Sequence, residues 1–99
     1  MNQKVLDLAK HEIGWWKAHY RKNSEAFLEH MTQLYMSQFG IDKENAKIIV
    51  NYRIEATKFH DTAEQKEDAG EQKNANRDWD RAEKALQKHF ELLEKHRKR

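Results

Sequence analysis

Apolar residues recur along the first part of the chain at a helical period. Leu6, Ile13, Tyr20, Phe27 and Leu34 stand seven residues apart, and a second row three residues on runs Ala9, Trp16, Asn23, His30 and Ser37. A row with that spacing lies along one side of a helix, so the pattern predicts a long helix over 2–39 with a heptad-like seam. The second row turns polar after Trp16, which makes the seam good on one side and weak on the other. Asn23-Ser24 followed by Glu25 also reads as a helix cap, a place where the long helix would kink or break. Gly14 costs about 1 kcal/mol relative to alanine inside a helix and permits close packing beside Trp15 and Trp16.

Phe39-Gly40-Ile41-Asp42 has the form of a helix junction. Glycine can take the left-handed conformation that ends one helix, Ile41 can cover the joint, and Asp42 can cap the next helix. A second helix follows over 42–66, with Ile49, Tyr52, Ala56, Phe59 and Ala63 as its seam and Ile41, Ile48 and Ile54 widening it. Lys66–Asp78 holds Gly70 and no apolar residue larger than alanine, so it reads as a loop or as solvated helix ends. A third helix over 74–98 presents Trp79, Ala82, Leu86, Phe90 and Leu93 on one face. Antiparallel pairing about Gly40 and Gly70 sets Tyr20 level with Asp61 and Trp79, Phe27 with Leu86, and Leu34 with Ile48 and Leu92–Leu93. The expected fold is therefore an all-α, antiparallel three-helix bundle in one domain over 1–99. A helix continuing through Gly70 would instead give a two-helix hairpin that pairs into a dimeric four-helix assembly.

Composition narrows the core. Of 27 large apolar residues, 22 lie in Met1–Phe59, which leaves Trp79, Leu86, Phe90, Leu92 and Leu93 for the remainder. The last two-fifths must pack on the rest of the chain or on another chain. The absence of cysteine removes disulfides, thiolate metal sites and cysteine nucleophiles together. No run approaches the roughly 18 apolar residues of a membrane span, and Asp7 interrupts the apolar stretch that a signal peptide needs. A cytoplasmic protein with no membrane partner is expected. Net charge is only +2, and the basic end, Lys95-His96-Arg97-Lys98-Arg99, has the ordinary role of complementing a helix C-terminus.

The candidate chemistry is thin. Six histidines are the one excess, and the nearest metal-like set is His60, Asp61 and Glu64, with His19 at the same level. The sequence has no catalytic elbow around Ser24 or Ser37 and no phosphate-cradling glycine loop, so no enzyme activity and no cofactor are expected. A nucleic-acid reading would use Arg77, Arg81, Lys84, Lys88, Arg97, Lys98 and Arg99. The interleaved Asp78, Asp80, Glu83, Glu91 and Glu94 weaken it. The Trp15-Trp16 pair is sharper, because neighbours on a helix point about 100° apart and one face cannot bury both. Between Phe27 and Phe39 seven of thirteen residues are large and apolar, more than one face requires. The sequence thus predicts a non-catalytic interaction module that forms a homodimer, and has room for a further protein partner. The interface residues would be Leu8, Trp15, Leu28, Tyr35 and Met36.

Overall fold

The computed structural model describes residues 15–98, and these are helical throughout, with no strand. The first helix, α1, is described over 15–22; α2 spans Ser24–Phe39, α3 Lys43–Asp68 and α4 Gln72–His96. Leu6, Leu8, Ala9, Ile13, Gly14 and Arg99 lie outside the described residues. The expected helix over 2–39 is not continuous: it breaks at Asn23, so the described residues form four helices and not three. Asn23 adopts an extended backbone (φ −162°, ψ 98°), and its side chain accepts a hydrogen bond from the Ala26 amide at 3.1 Å. A short carboxamide competes with helix continuation and satisfies an otherwise unpaired first-turn amide. The cap reading therefore wins over the heptad at this position.

The two glycines act as anticipated. Gly40 is left-handed (φ 65°, ψ 30°) and its amide donates to the Met36 carbonyl at 3.0 Å, while the Asp42 carboxylate accepts from the Asn45 amide at 3.3 Å. Ile41 is buried at this joint. Gly70 takes φ 79°, and the Glu71 amide donates back to the Lys66 carbonyl at 2.8 Å. Of the two readings of Lys66–Asp78, the solvated helix ends hold: α3 runs to Asp68 and α4 starts at Gln72. The left-handed glycine rules out one helix running through the turn.

At the far end the Lys98 amide donates to the Phe39 carbonyl at 2.7 Å. The C-terminal ends of α2 and α4 therefore meet, so these two helices run parallel and α3 runs against both. The core joins Trp16 of α1, Phe27, Met31 and Tyr35 of α2, Ile41, and Ala46, Ile49, Val50 and Ile54 of α3. Leu28, Leu34, Met36 and Phe39 of α2 are only half-buried against it, as are Leu92 and Leu93 of α4.

The main departure from the sequence reading is the rotation of α4. Its buried residues are Ala75, Asp78, Ala82, Ala85 and His89, not the expected row of Trp79, Ala82, Leu86, Phe90 and Leu93. On α3 the buried row includes Ala46, Ala56, Thr57 and Ala63. Small side chains on both inward faces let the two helices pack closely, and that contact displaces the bulkier α4 residues to the flank. Trp79 and Leu86 become half-buried and Phe90 exposed. None of the described helices is long and apolar enough to cross a membrane.

If the small-residue rows form the α3–α4 seam, enlarging one of them must hurt more than trimming the flank. Ala82→Leu is expected to lower unfolding free energy by about 1–3 kcal/mol through overpacking. Phe90→Leu, which keeps an apolar cover at a half-exposed site, is expected to cost about 1 kcal/mol or less. Urea unfolding of the two variants checks the order.

Candidate interaction surface

Two polar side chains are built into the core. Arg53 is 2% exposed, and its guanidinium carbon lies 5.2 Å from the Trp16 ring centre and 5.7 Å from that of Phe90. Aromatic faces on two sides attract a cation that burial has stripped of water. Next to Phe90, His89 is also buried, and its Nε2 sits 2.9 Å from the Tyr35 hydroxyl. Burial, and after it the charge of Arg53, push His89 down to about 3. The imidazole is therefore neutral near pH 7. Sequence reasoning passed over both residues. The available signal was spacing: Arg53 falls four residues after Ile49 and seven before His60, on the same inward row.

This cluster decides where the predicted interface residues fall. Tyr35 lies inside the chain, edge-on to Phe39 at 5.3 Å and paired with His89 of α4. Leu28 and Met36 are half-buried on α2. Trp15 remains 46% exposed; it stacks on His19 at 4.1 Å and leans on Phe27 at 5.9 Å. Leu8 is outside the described residues. Phe90, 51% exposed, forms with Leu86 the floor of an open groove along α4. Its exposure has a structural reason, because the same ring covers the Arg53 guanidinium.

The residues considered for a metal do not converge. The Glu64 carboxylate lies 2.8 Å from His60 Nδ1 and 3.1 Å from the Lys17 ammonium, while Asp61 takes Arg21 and, at 3.4 Å, Lys17. His60 also packs edge-on against Trp79 at 4.7 Å, which fixes the α3–α4 level close to the one expected. The Arg21 hydrogen bond and charge hold Asp61 below the usual carboxylate range. His19 faces Trp15, with Nδ1 2.9 Å from that residue's carbonyl oxygen. Among the described residues no group of three or more His, Asp or Glu side chains is placed to hold a metal ion. These acids instead form the clamp that fastens α1 to α3.

Of the basic residues, Arg81 contacts Asp78 at 3.4 Å and covers Phe59, and Lys84 pairs with Asp80 at 2.9 Å. Arg97 contacts Glu94 at 3.7 Å and lies over Phe39. Arg77, Lys88 and Lys98 are exposed. Asp78 is buried between α3 and α4 and accepts from Lys66 at 2.6 Å; that bond holds its carboxyl below the ordinary range. No known protein family, curated protein or solved structure matches this chain.

The His89 environment gives a pH signature. The unfolded chain binds a proton near 6.5, whereas the folded chain does so only near 3. Stability is therefore full above about pH 6.5 and falls as pH drops toward 3. At pH 5 the loss is roughly 2 kcal/mol. The depressed carboxylates Asp42, Asp61 and Asp78 add their own loss only below about their ordinary 3.8. Urea midpoints at pH 7.5 and pH 5 are expected to differ clearly for the native chain and much less for His89→Gln.

Proposed function

We propose that this chain is a small, non-catalytic helical interaction module that self-associates as a homodimer. The observation that carries this reading is the state of the α1–α2 surface. After α3 and α4 have packed, Trp15 is still 46% exposed and Leu28 and Met36 are only half-covered. Single exposed apolar residues are ordinary, but an indole this open on α1, together with half-covered leucine and methionine side chains on α2, favours burial against another surface. Trp15 differs from Phe90 here, since Phe90 covers the Arg53 guanidinium, whereas among the described residues the ring contacts of Trp15 are with its neighbours His19 and Phe27. A two-fold pairing of the α1–α2 surface with its copy is the simplest closed arrangement. Tyr35 drops out of this interface because α4 covers it.

The reading against catalysis rests on chemistry. The buried His89 is neutral and paired with a tyrosine, Asp80 and Glu94 pair with Lys84 and Arg97, and the acids near His60 serve the α1 clamp. A metal-binding reading finds no support in that arrangement.

Sedimentation tests the proposal. The native chain is expected to sediment as a dimer at tens of micromolar, and Trp15→Glu as a folded monomer with its helix content intact. Phe90→Glu is expected to leave the dimer in place. Trp16→Glu, at a site 2% exposed in the core, is expected to unfold the chain. A native chain sedimenting at 12.0 kDa at these concentrations would overturn the reading.

A further inference from the structure

The rotation of α4 sorts its charges onto separate flanks. Successive residues turn by about 100°, so the buried row of Ala75, Asp78, Ala82, Ala85 and His89 fixes the inward direction. Relative to it, Lys73, Arg77, Lys84, Lys88 and Lys95 gather on one outward flank with Arg81 at its edge, and all six are exposed. The opposite outward flank holds Glu83, Glu94 and Phe90. The acids that interleave with these bases in the sequence thus mostly leave the basic flank, with Glu91 inside the row and Asp80 at its border. Asp80 pairs with Lys84 at 2.9 Å, and Arg81 contacts the buried Asp78 at 3.4 Å. Lys73, Arg77, Lys88 and Lys95 form no ion pair among the described residues.

We propose that this flank of α4 docks on the sugar-phosphate backbone of double-stranded nucleic acid without reading its sequence. Lys73 and Lys95 are separated by roughly 33 Å at about 1.5 Å per residue. A duplex advances about 3.4 Å per base pair and presents one phosphate charge per about 1.7 Å of axis. The row therefore runs the length of about ten base pairs. A helix packed along α3 sets the basic side chains at regular intervals along its axis, which suits a stiff duplex. Binding of single strands relies on stacking platforms, and the basic flank of α4 carries no aromatic residue. The exposed ring of the helix, Phe90, stands on the acidic flank. Lysine dominates the row, and a lysine ammonium acts on phosphate as a point charge. One copy of the chain suffices, so this inference does not depend on the dimer.

Fluorescence anisotropy with labelled 20-base-pair DNA and RNA duplexes tests it. The full chain is expected to bind at least one duplex at 50 mM salt, with affinity falling about 100-fold at 200 mM if about four phosphates are neutralised. Arg77→Glu with Lys88→Glu is expected to weaken binding at least tenfold. Lys22→Glu with Lys47→Glu makes the same charge change at exposed sites on α1 and α3, and is expected to cost less than threefold. Circular dichroism checks that both variants are folded, and Lys73→Gln with Lys95→Gln provides a milder pair showing the same direction of change. No duplex binding at 50 mM salt, equal or tighter binding of an unstructured single strand, or an equal loss in the Lys22/Lys47 variant would overturn the proposal.

Discussion

Close packing of α3 against α4 along their small residues is the constraint on which the other features depend. Ala56 and Ala63 on one helix and Ala75, Ala82 and Ala85 on the other are all buried. Such a seam contributes little apolar area per residue, but it brings two backbones together over a long contact and fixes the rotation of each helix. With α4 turned in this way, its large side chains cannot fill the centre. His89 enters the core in place of Phe90, and Arg53 of α3 enters opposite it. The aromatic rings displaced to the flank then cover the buried charge.

This arrangement joins packing to electrostatics. A buried guanidinium is expensive unless its surroundings compensate for lost water. Here Trp16 comes from α1, Phe90 from α4 and the cation from α3, so the pairing ties three helices together at one point. The same cation disfavours protonation of His89, which keeps its hydrogen bond to Tyr35 between neutral groups. A second tie fastens α1: Lys17 reaches Asp61 and Glu64, and Arg21 reaches Asp61. Helix α1 is thus secured by an apolar anchor, Trp16, and by charged residues one and five positions along. Trp15, beside the anchor in sequence, stays 46% exposed.

Local chemistry made much of the fold legible in the sequence. Gly40, Asp42 and Gly70 announce turns because a left-handed backbone and a free first-turn amide each favour particular residues, and those preferences hold wherever the chain goes next. Asn23 carried the same kind of signal, but it competed with the heptad row of Tyr20, Phe27 and Leu34. The rotation of α4 was not legible by ranking residues on size. Trp79, Leu86 and Phe90 look like a seam to any argument that places the largest apolar groups innermost, whereas Ala75 and Ala85, which share the inward row with Ala82, carry no signal of size. For the same reason Arg53 and His89 drew no notice in the sequence, and Tyr35 read as part of an outer face. The acids at 61 and 64 looked like ligands because their cationic partners lie on a different helix, forty or more positions away.

The identity of the α3–α4 seam sets every other feature, and side-chain methyl contacts report it. Nuclear Overhauser spectroscopy of the chain labelled at alanine methyls and at aromatic and leucine side chains distinguishes the two rotations of α4. A small-residue seam gives cross-peaks between the methyls of Ala56 and Ala63 and those of Ala75, Ala82 and Ala85, with Leu86 and Phe90 remote from the α3 alanines. Strong cross-peaks from Leu86 and Phe90 to Ala56 and Ala63, with the α4 alanines remote from them, would contradict it.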